Sequence, residues 1–265
     1  MSMDFHTLRY DVDDGVLTLT LDRPAAHNAV NAQMSRELPL AWQRFKQDEE
    51  ALVAIVTGAG EKAFCVGADL ADLPQTDGEQ GAGTLQSIRW SPLQNQVWKP
   101  VICAVNGMAV GGGLHFVADS DIVIAAEHAT FFDTHVKVGL VAGLEPVSLA
   151  RRMPLEAVLR MTLVGGAERI HAHRARELGL VGEVVPAEQL ATRAREVADM
   201  IKRHSPTALM RSKQAIWGAA ERGLTAGLEH AWSLIMAHDG HPDMAEGARA
   251  FIERRAPRWQ PPGKD

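Results

Sequence analysis

Polar and apolar residues alternate in LRYDVDDGVLTLTLD around Asp14-Gly15, which predicts two strands joined as a hairpin and closed by Arg23-Pro24. A polar loop, AAHNAVN, leads into a helix predicted from about Ala32 to Glu50, kinked or divided at Pro39. The unbroken apolar run LVAIVTG predicts a buried strand, and the glycine-bounded turn GAGEKAF leads on to CVGADLADL. Pro74 to Gly83 has loop chemistry and the composition of a mobile segment. A helix is then predicted from about Thr84 to Val97, ending before Lys99-Pro100. VICAV and DIVIAA are further buried strands, and NGMAVGGGLHFVAD between them carries a turn, three consecutive glycines and a short helix. ATFFDTH is strand-like, and from Pro146 the pattern is helical: PVSLARRM, LEAVLRMTL, AHRARELG and four longer segments between Ala187 and Arg255.

Strands alternating with helices predict an α/β core with a covered sheet. The pattern turns helix-only near residue 195, so residues 1–195 read as the core and residues 196–265 as a helical appendage packed on it or on a neighbouring subunit. A chain of 265 residues that is 46% apolar and 23% charged can bury such a core, which excludes a disordered protein. The net charge of −6 leaves no electrostatic footprint for nucleic acid or an anionic membrane. Two cysteines, Cys65 and Cys103, and an opening MSMDFHTLRY without a basic or apolar leader pattern fit a soluble cytoplasmic protein. The single tyrosine, Tyr10, sits in a predicted strand, which removes the tyrosine-lysine dehydrogenases. The Walker-type and dinucleotide-type glycine patterns are missing, as are the serine-elbow and zincin motifs.

Two glycine-containing turns lie where the pattern changes from strand to helix. One is Val66-Gly67-Ala68-Asp69-Leu70, after the strand around Phe64; the other is Gly111-Gly112-Gly113, after the strand Val101 to Val105 and before Leu114-His115-Phe116-Val117. Backbone N–H groups at a helix start have no intrahelical acceptor and can receive a developing negative charge. Two such turns brought together would make an oxyanion hole, whereas each taken alone is equally a device for tight turning and close packing.

AFCVGADL, followed by KPVICAVNGMAVGGGLHFVADSDIVIAAEHATF, resembles the enoyl-CoA hydratase/isomerase superfamily, also called the crotonase family. LDRPAAHNAVN upstream, ERIHAHRARELGLVGEVVP downstream and DGHPDMAEGARAFIERRAPRW near the end extend the resemblance over nearly the whole chain. The resemblance implies a crotonase-like spiral of ββα units with a C-terminal helical trimerisation region, assembled as a trimer or hexamer. It implies an acyl-CoA substrate, with coenzyme A as part of that substrate and no other cofactor. The thioester oxygen would sit between the N–H groups of Ala68 and Gly112, and the CoA would follow Val66, Asp69, Leu70 and Ala71 and the turn near Arg23 and Ala25. Arg254 and Arg255 are candidates for its phosphates, or members of a solvated helix face.

Hydratases of this family place one glutamate three residues after the middle glycine and a second about 20 residues later. Here those positions hold His115 and His135. The expected carboxylates move the protons of one water in syn addition across a double bond, and an imidazole pair could do the same work. The helix start beside His115 should keep its ring neutral. Asp133, two residues before His135 and on the same side of a strand, is a candidate to orient that ring, or a surface acid. Two imidazoles facing one another predict one titrating below and one near the ordinary value, with activity centred on neutral pH. Glu145, in the KVGLVAGLEP segment that lines the acyl pocket in this family, is a third proton carrier or a helix-start acid. His238 and His241 have metal-pair spacing but fall in the family's tail motif, so no metal is expected. Beside the hydratase-type enzyme stand two other readings: a carbon-carbon bond hydrolase of cyclic diketones, whose histidine matches His135, and a catalytically silent acyl-CoA-binding protein.

Overall fold

The computed structural model describes residues 4–73 and 88–262. The predicted loop Pro74 to Gly83 and the predicted helix start at Thr84 lie outside the described residues. The hairpin forms as expected, β1 (Leu8–Asp13) against β2 (Val16–Leu21), with Asp14 and Gly15 both at positive φ. Next comes α1 (Ala32–Gln47), whose first turn is capped by the side-chain oxygen of Asn31. It runs unbroken through Pro39. Proline inside a helix costs about 3 kcal/mol, but Met34, Leu38, Trp42 and Phe45 on one face are fully buried, each worth about 1.5–3 kcal/mol. The helix stops at Gln47, short of Glu50, because Asp48 turns extended and its Oδ1 accepts from the N–H groups of Glu50 and Ala51.

From here the chain alternates between two sheets. The strands β3 (Val53–Gly58), β5 (Val101–Val105) and β7 (Ile122–Ala126) extend the first sheet in parallel. The short strands β4 (Ala63–Cys65), β6 (Met108–Val110) and β8 (Thr130–Phe132) build a second one. Each passage through both sheets is one turn of a ββα spiral. A five-residue helix, α2 (Leu114–Ala118), closes the turn after β6, and α3 (Leu144–Leu149) follows β8. After α4 (Leu155–Val164), β9 (Ile170–His171) joins β8 antiparallel; after α5 (Ala172–Glu177), β10 (Glu183–Val185) completes the first sheet in the order β1-β2-β3-β5-β7-β10.

The continuous apolar runs of the first sheet are explained by burial on both faces. Alternate residues point to opposite sides: Ala54, Val56, Cys103, Val105 and Val123 join the larger core with α1, while Val53, Ile55, Ile102, Ala104 and Ile124 face α6 (Leu190–Ile201). The division expected at residues 195 and 196 therefore falls inside a helix that packs on the sheet through Leu190, Ala194 and Ala198. The remaining helices are α7 (Pro206–Ala219), α8 (Leu224–His238) and α9 (Pro242–Glu253). They are tied to the core at Asp121, which accepts from the Trp217 indole at 2.8 Å and pairs with buried Lys213 at 2.7 Å. Trp217 is thus half-buried.

Two further expectations change. The glycines at 111–113 follow β6 rather than directly following β5, because three residues are enough for a strand when both neighbours, β4 and β8, supply ladder partners. Residues 91–96, expected helical, are turns: Pro92 lacks an N–H, and the Gln94 side-chain oxygen takes the N–H groups of Trp90 and Ser91.

The glycine turn packs backbone to backbone on β4, where a Cβ at Gly113 would lie 2.2 Å from the Cys65 carbonyl oxygen. Gly113→Ala should therefore destabilise the fold by about 1–3 kcal/mol, read as a lowered midpoint in thermal unfolding. An unchanged midpoint would contradict this account of the packing.

Candidate active site

The two glycine-containing turns meet. Gly67, at φ +85, approaches the second turn so closely that a Cβ there would lie 2.8 Å from the Gly112 nitrogen. Ala68 forms a parallel bridge with Val30, in which Val30 N–H donates to Gly67 O and Asp69 N–H donates to Val30 O. The geometry of a parallel bridge turns the N–H of Ala68 itself away from Val30. No helix follows Val66-Gly67-Ala68 before residue 73, so its N–H groups are exposed by the bridge and turn rather than by a helix start. On the other side, Gly111 to Gly113 form one 3-10 turn leading into α2, and the Trp90 ring covers Gly112.

The candidate CoA residues cluster at the first turn. Arg23 is not free: its guanidinium donates to the Ala29 carbonyl at 2.6 Å and pairs with Asp69 at 2.9 Å. That pairing holds the Asp69 carboxyl below the usual carboxylate range. Val66 is half-buried, whereas Ala25, Leu70 and Ala71 are exposed and form a rim beside the Arg23–Asp69 pair. In the tail, the Arg255 guanidinium is engaged by Glu246 and Glu253.

His115, His135 and Glu145 come from three elements and converge on one carboxylate oxygen. His115 is on α2 and 1% exposed; Glu145, in the first turn of α3, is 6% exposed. Glu145 Oε1 lies 3.1 Å from His115 Nε2, in contact but not aligned as a hydrogen bond, and 3.8 Å from His135 Nε2. The two rings therefore do not simply face one another: a carboxylate is set between them. Burial pushes the Glu145 carboxyl up, but the nearby His115 ring, the backbone N–H of Glu145 and the charge on His135 outweigh it and hold the group below its ordinary value.

His135 is oriented from its other side. Asp133, fully buried rather than a surface acid, accepts from His135 Nδ1–H at 2.8 Å and from the His135 backbone N–H at 2.9 Å. The contact arises from a tight turn after β8, with His135 in helical conformation, not from alternation along a strand. The hydrogen bond to Asp133 is the largest cause of a raised His135 titration; burial opposes it and the Glu145 charge adds to it. This corrects the expectation for His135, which was below or near its ordinary value: carboxylates, not a second imidazole, dominate its surroundings.

Two neighbours carried no sequence signal. Gln94 Nε2 lies 3.2 Å from His115 Nδ1, and the Trp90 ring packs edge-on to His115 with centroids 6.1 Å apart. Trp90 is fixed by Ser35, which accepts its indole N–H, and by Trp42, which donates to its carbonyl. Both residues sit in a segment whose pattern suggested helix, with no motif to mark them. Among the described residues, no group of three or more His, Cys, Asp or Glu side chains is placed to hold a metal ion, and no helix is long and apolar enough to cross a membrane.

The chain matches the family model described as enoyl-CoA hydratase/isomerase over residues 11–262. It is 36% identical to the (E)-benzylidenesuccinyl-CoA hydratase of Thauera aromatica, over 94% of this chain and 97% of that one. It is 34% identical to the carnitinyl-CoA dehydratase of Proteus mirabilis, over 92% and 95% of the two chains. A crystal structure of an enoyl-CoA hydratase/isomerase from Mycobacterium paratuberculosis superposes with a TM-score of 0.89 at 40% identity, covering 97% of this chain and 99% of that one. These comparisons lend no support to the diketone hydrolase or the silent binding protein.

The raised titration of His135 has a definite sign. A folded-state value above the unfolded one stabilises the protein below the ordinary histidine value of about 6.5, and the contribution is lost as pH rises through the raised value. Histidine NMR should place the His135 midpoint above 6.5, and Asp133→Asn should lower it and destabilise the fold more at pH 6 than at pH 9. A wild-type midpoint at or below 6.5 would contradict the assigned pairing.

Proposed function

Because the chain belongs to the enoyl-CoA hydratase/isomerase family, we propose that it adds water across, or removes it from, the α,β double bond of an acyl-CoA thioester. The observation that carries this reading is the Glu145 oxygen held beside the ring nitrogens of His115 and His135. The thioester oxygen is received by the N–H groups of Ala68 and Gly112, whose turns are in contact. Two such donors in a water-poor site are worth roughly 3–4 kcal/mol each in stabilising an enolate. Coenzyme A enters as part of the substrate along Val66, Leu70 and Ala71, and the Arg23–Asp69 pair fixes the shape of that rim.

In the hydration direction, the Glu145 carboxylate takes a proton from water as the water oxygen bonds to the β carbon. The double-bond electrons move onto the thioester as an enolate. The α carbon then takes a proton from His135, whose charged form Asp133 favours. Transfer of the first proton from Glu145 to His135 Nε2, 3.8 Å away, restores both groups. In this reading His115, expected to share the acid/base work with His135, serves to position Glu145, whose Oε1 lies 3.1 Å from its Nε2. These roles need Glu145 ionised and His135 protonated.

An apolar face supports assembly as a trimer or hexamer. Leu224, Leu228, Trp232 and Ile235 along α8, and Phe251 and Ile252 on α9, are all more than half exposed, and large apolar side chains shown to water in this number mark an interface.

Glu145→Gln should lower kcat for hydration of an enoyl-CoA by roughly 10²- to 10⁴-fold with little change in CoA binding. Wild-type activity should persist toward acid, because Glu145 titrates low, and fall on the alkaline side as His135 loses its proton. Full turnover by Glu145→Gln would overturn the assignment. For assembly, light scattering at micromolar concentration should give a mass of at least three chains; the mass of one chain would contradict it.

A further inference from the structure

We infer that Gln94 is a positioning residue that fixes the tautomer of His115, holding Nδ1 bare and the ring proton on Nε2 beside Glu145. The inference deepens the proposed acid/base roles and rests on them for its catalytic consequence, but not for its structural content. Amide oxygen and nitrogen look alike in shape, so the orientation of Gln94 must come from its partners. Its Oε1 accepts two backbone N–H groups, those of Trp90 and Ser91, each at 3.0 Å. A backbone N–H has nothing to offer an NH₂ group, so the oxygen is committed to that side. The NH₂ end then faces His115 Nδ1 at 3.2 Å, and a donor there requires an acceptor. Nδ1 must carry its lone pair, which leaves the proton on Nε2, 3.1 Å from Glu145 Oε1.

The turn that presents Gln94 is itself anchored. Ser91 Oγ bonds Asp119 just beyond α2, and Asn95 donates to the Arg89 and Ser91 carbonyls. Two backbone donors, an anchored turn and an edge-on Trp90 thus hold one buried ring in one tautomer. A ring with its proton on Nε2 presents a donor to Glu145 and cannot take a proton at that atom. The base at this site is therefore the Glu145 carboxylate, and His115 sets its Nε2–H beside that oxygen at 3.1 Å.

The test is the ¹⁵N spectrum of histidine-labelled protein, read through long-range couplings to the ring protons. Wild type should show His115 with an unprotonated Nδ1 and a protonated Nε2. Gln94→Glu keeps an oxygen for Trp90 and Ser91 but sets the second carboxylate oxygen against Nδ1, so the ring proton should move to Nδ1. Gln94→Leu should give tautomer-averaged shifts. Hydration of an enoyl-CoA by Gln94→Glu should fall at least about tenfold in kcat with KM little changed. A protonated Nδ1 in wild type, or a Gln94→Glu spectrum identical to wild type, would overturn the inference even if Gln94→Leu fails to fold. The two readings separate cleanly: if the tautomer moves as stated while wild type turns over no enoyl-CoA, the proposed function fails and the role of Gln94 stands.

Discussion

Within the second sheet, the backbones following β4 and β6 come together at the glycine turn, and the site is hung from that contact. At Gly113 there is no room for a Cβ against the Cys65 carbonyl, and at Gly67 none against the Gly112 nitrogen. Interiors are packed too densely for such approaches to relax when a side chain is added. The constraint brings the end of β4 beside the end of β6 and so sets two loops at a fixed separation. It also starts α2 immediately after the third glycine, which places His115 one turn into the core rather than at the surface. The first sheet serves as the rigid back wall: its residues are buried on both faces, by α1 on one side and α6 on the other.

On that framework the ionisable groups are distributed so that no single element carries the charge. Glu145 comes from α3, His115 from α2, and the Asp133–His135 turn from the end of β8. One winding of the spiral contributes His115 and the next contributes both His135 and Glu145, so their meeting depends on the register between β6 and β8 more than on any local motif. Gln94 and Trp90 arrive from a fourth segment, pinned to α1 by Ser35 and Trp42. A shift of β8 relative to β6 would part Glu145 and His135 from His115.

The chain's pattern made the hairpin, the buried strands and the order of the helices legible, because alternation and unbroken apolar runs report burial directly. It did not reveal β6, whose three residues are held only by its neighbours β4 and β8, nor the turns at 91–96, where the Gln94 side chain competes with helix formation for backbone N–H groups. His115, His135 and Glu145 were visible as departures from a family pattern, yet their arrangement was not. Sequence offsets placed two imidazoles opposite one another, whereas the carboxylate between them is brought in by the path of the chain from β8 to α3, which no spacing rule encodes. Asp133 illustrates the same limit. Its offset from His135 was correct, but strand alternation was the wrong reason, since a turn that engages both the ring and the backbone N–H makes the contact.

The two imidazoles beside Glu145 also bear on what keeps a buried charge tolerable. Glu145 is almost fully buried, and burial alone would favour its neutral form. A carboxylate that must accept protons near neutral pH needs that penalty offset by donors and positive charge. Two further carboxylates at the positions of His115 and His135 would add like charge around Glu145 and drive its proton affinity up. Imidazoles there do the reverse: one brings a ring nitrogen to 3.1 Å, and the other has its charged form favoured by Asp133 from behind. Asp133 therefore acts on Glu145 although the two do not touch, by favouring the charged form of the ring between them. His135 and the Glu145 carboxylate are coupled, in that the charged form of each is favoured by the other.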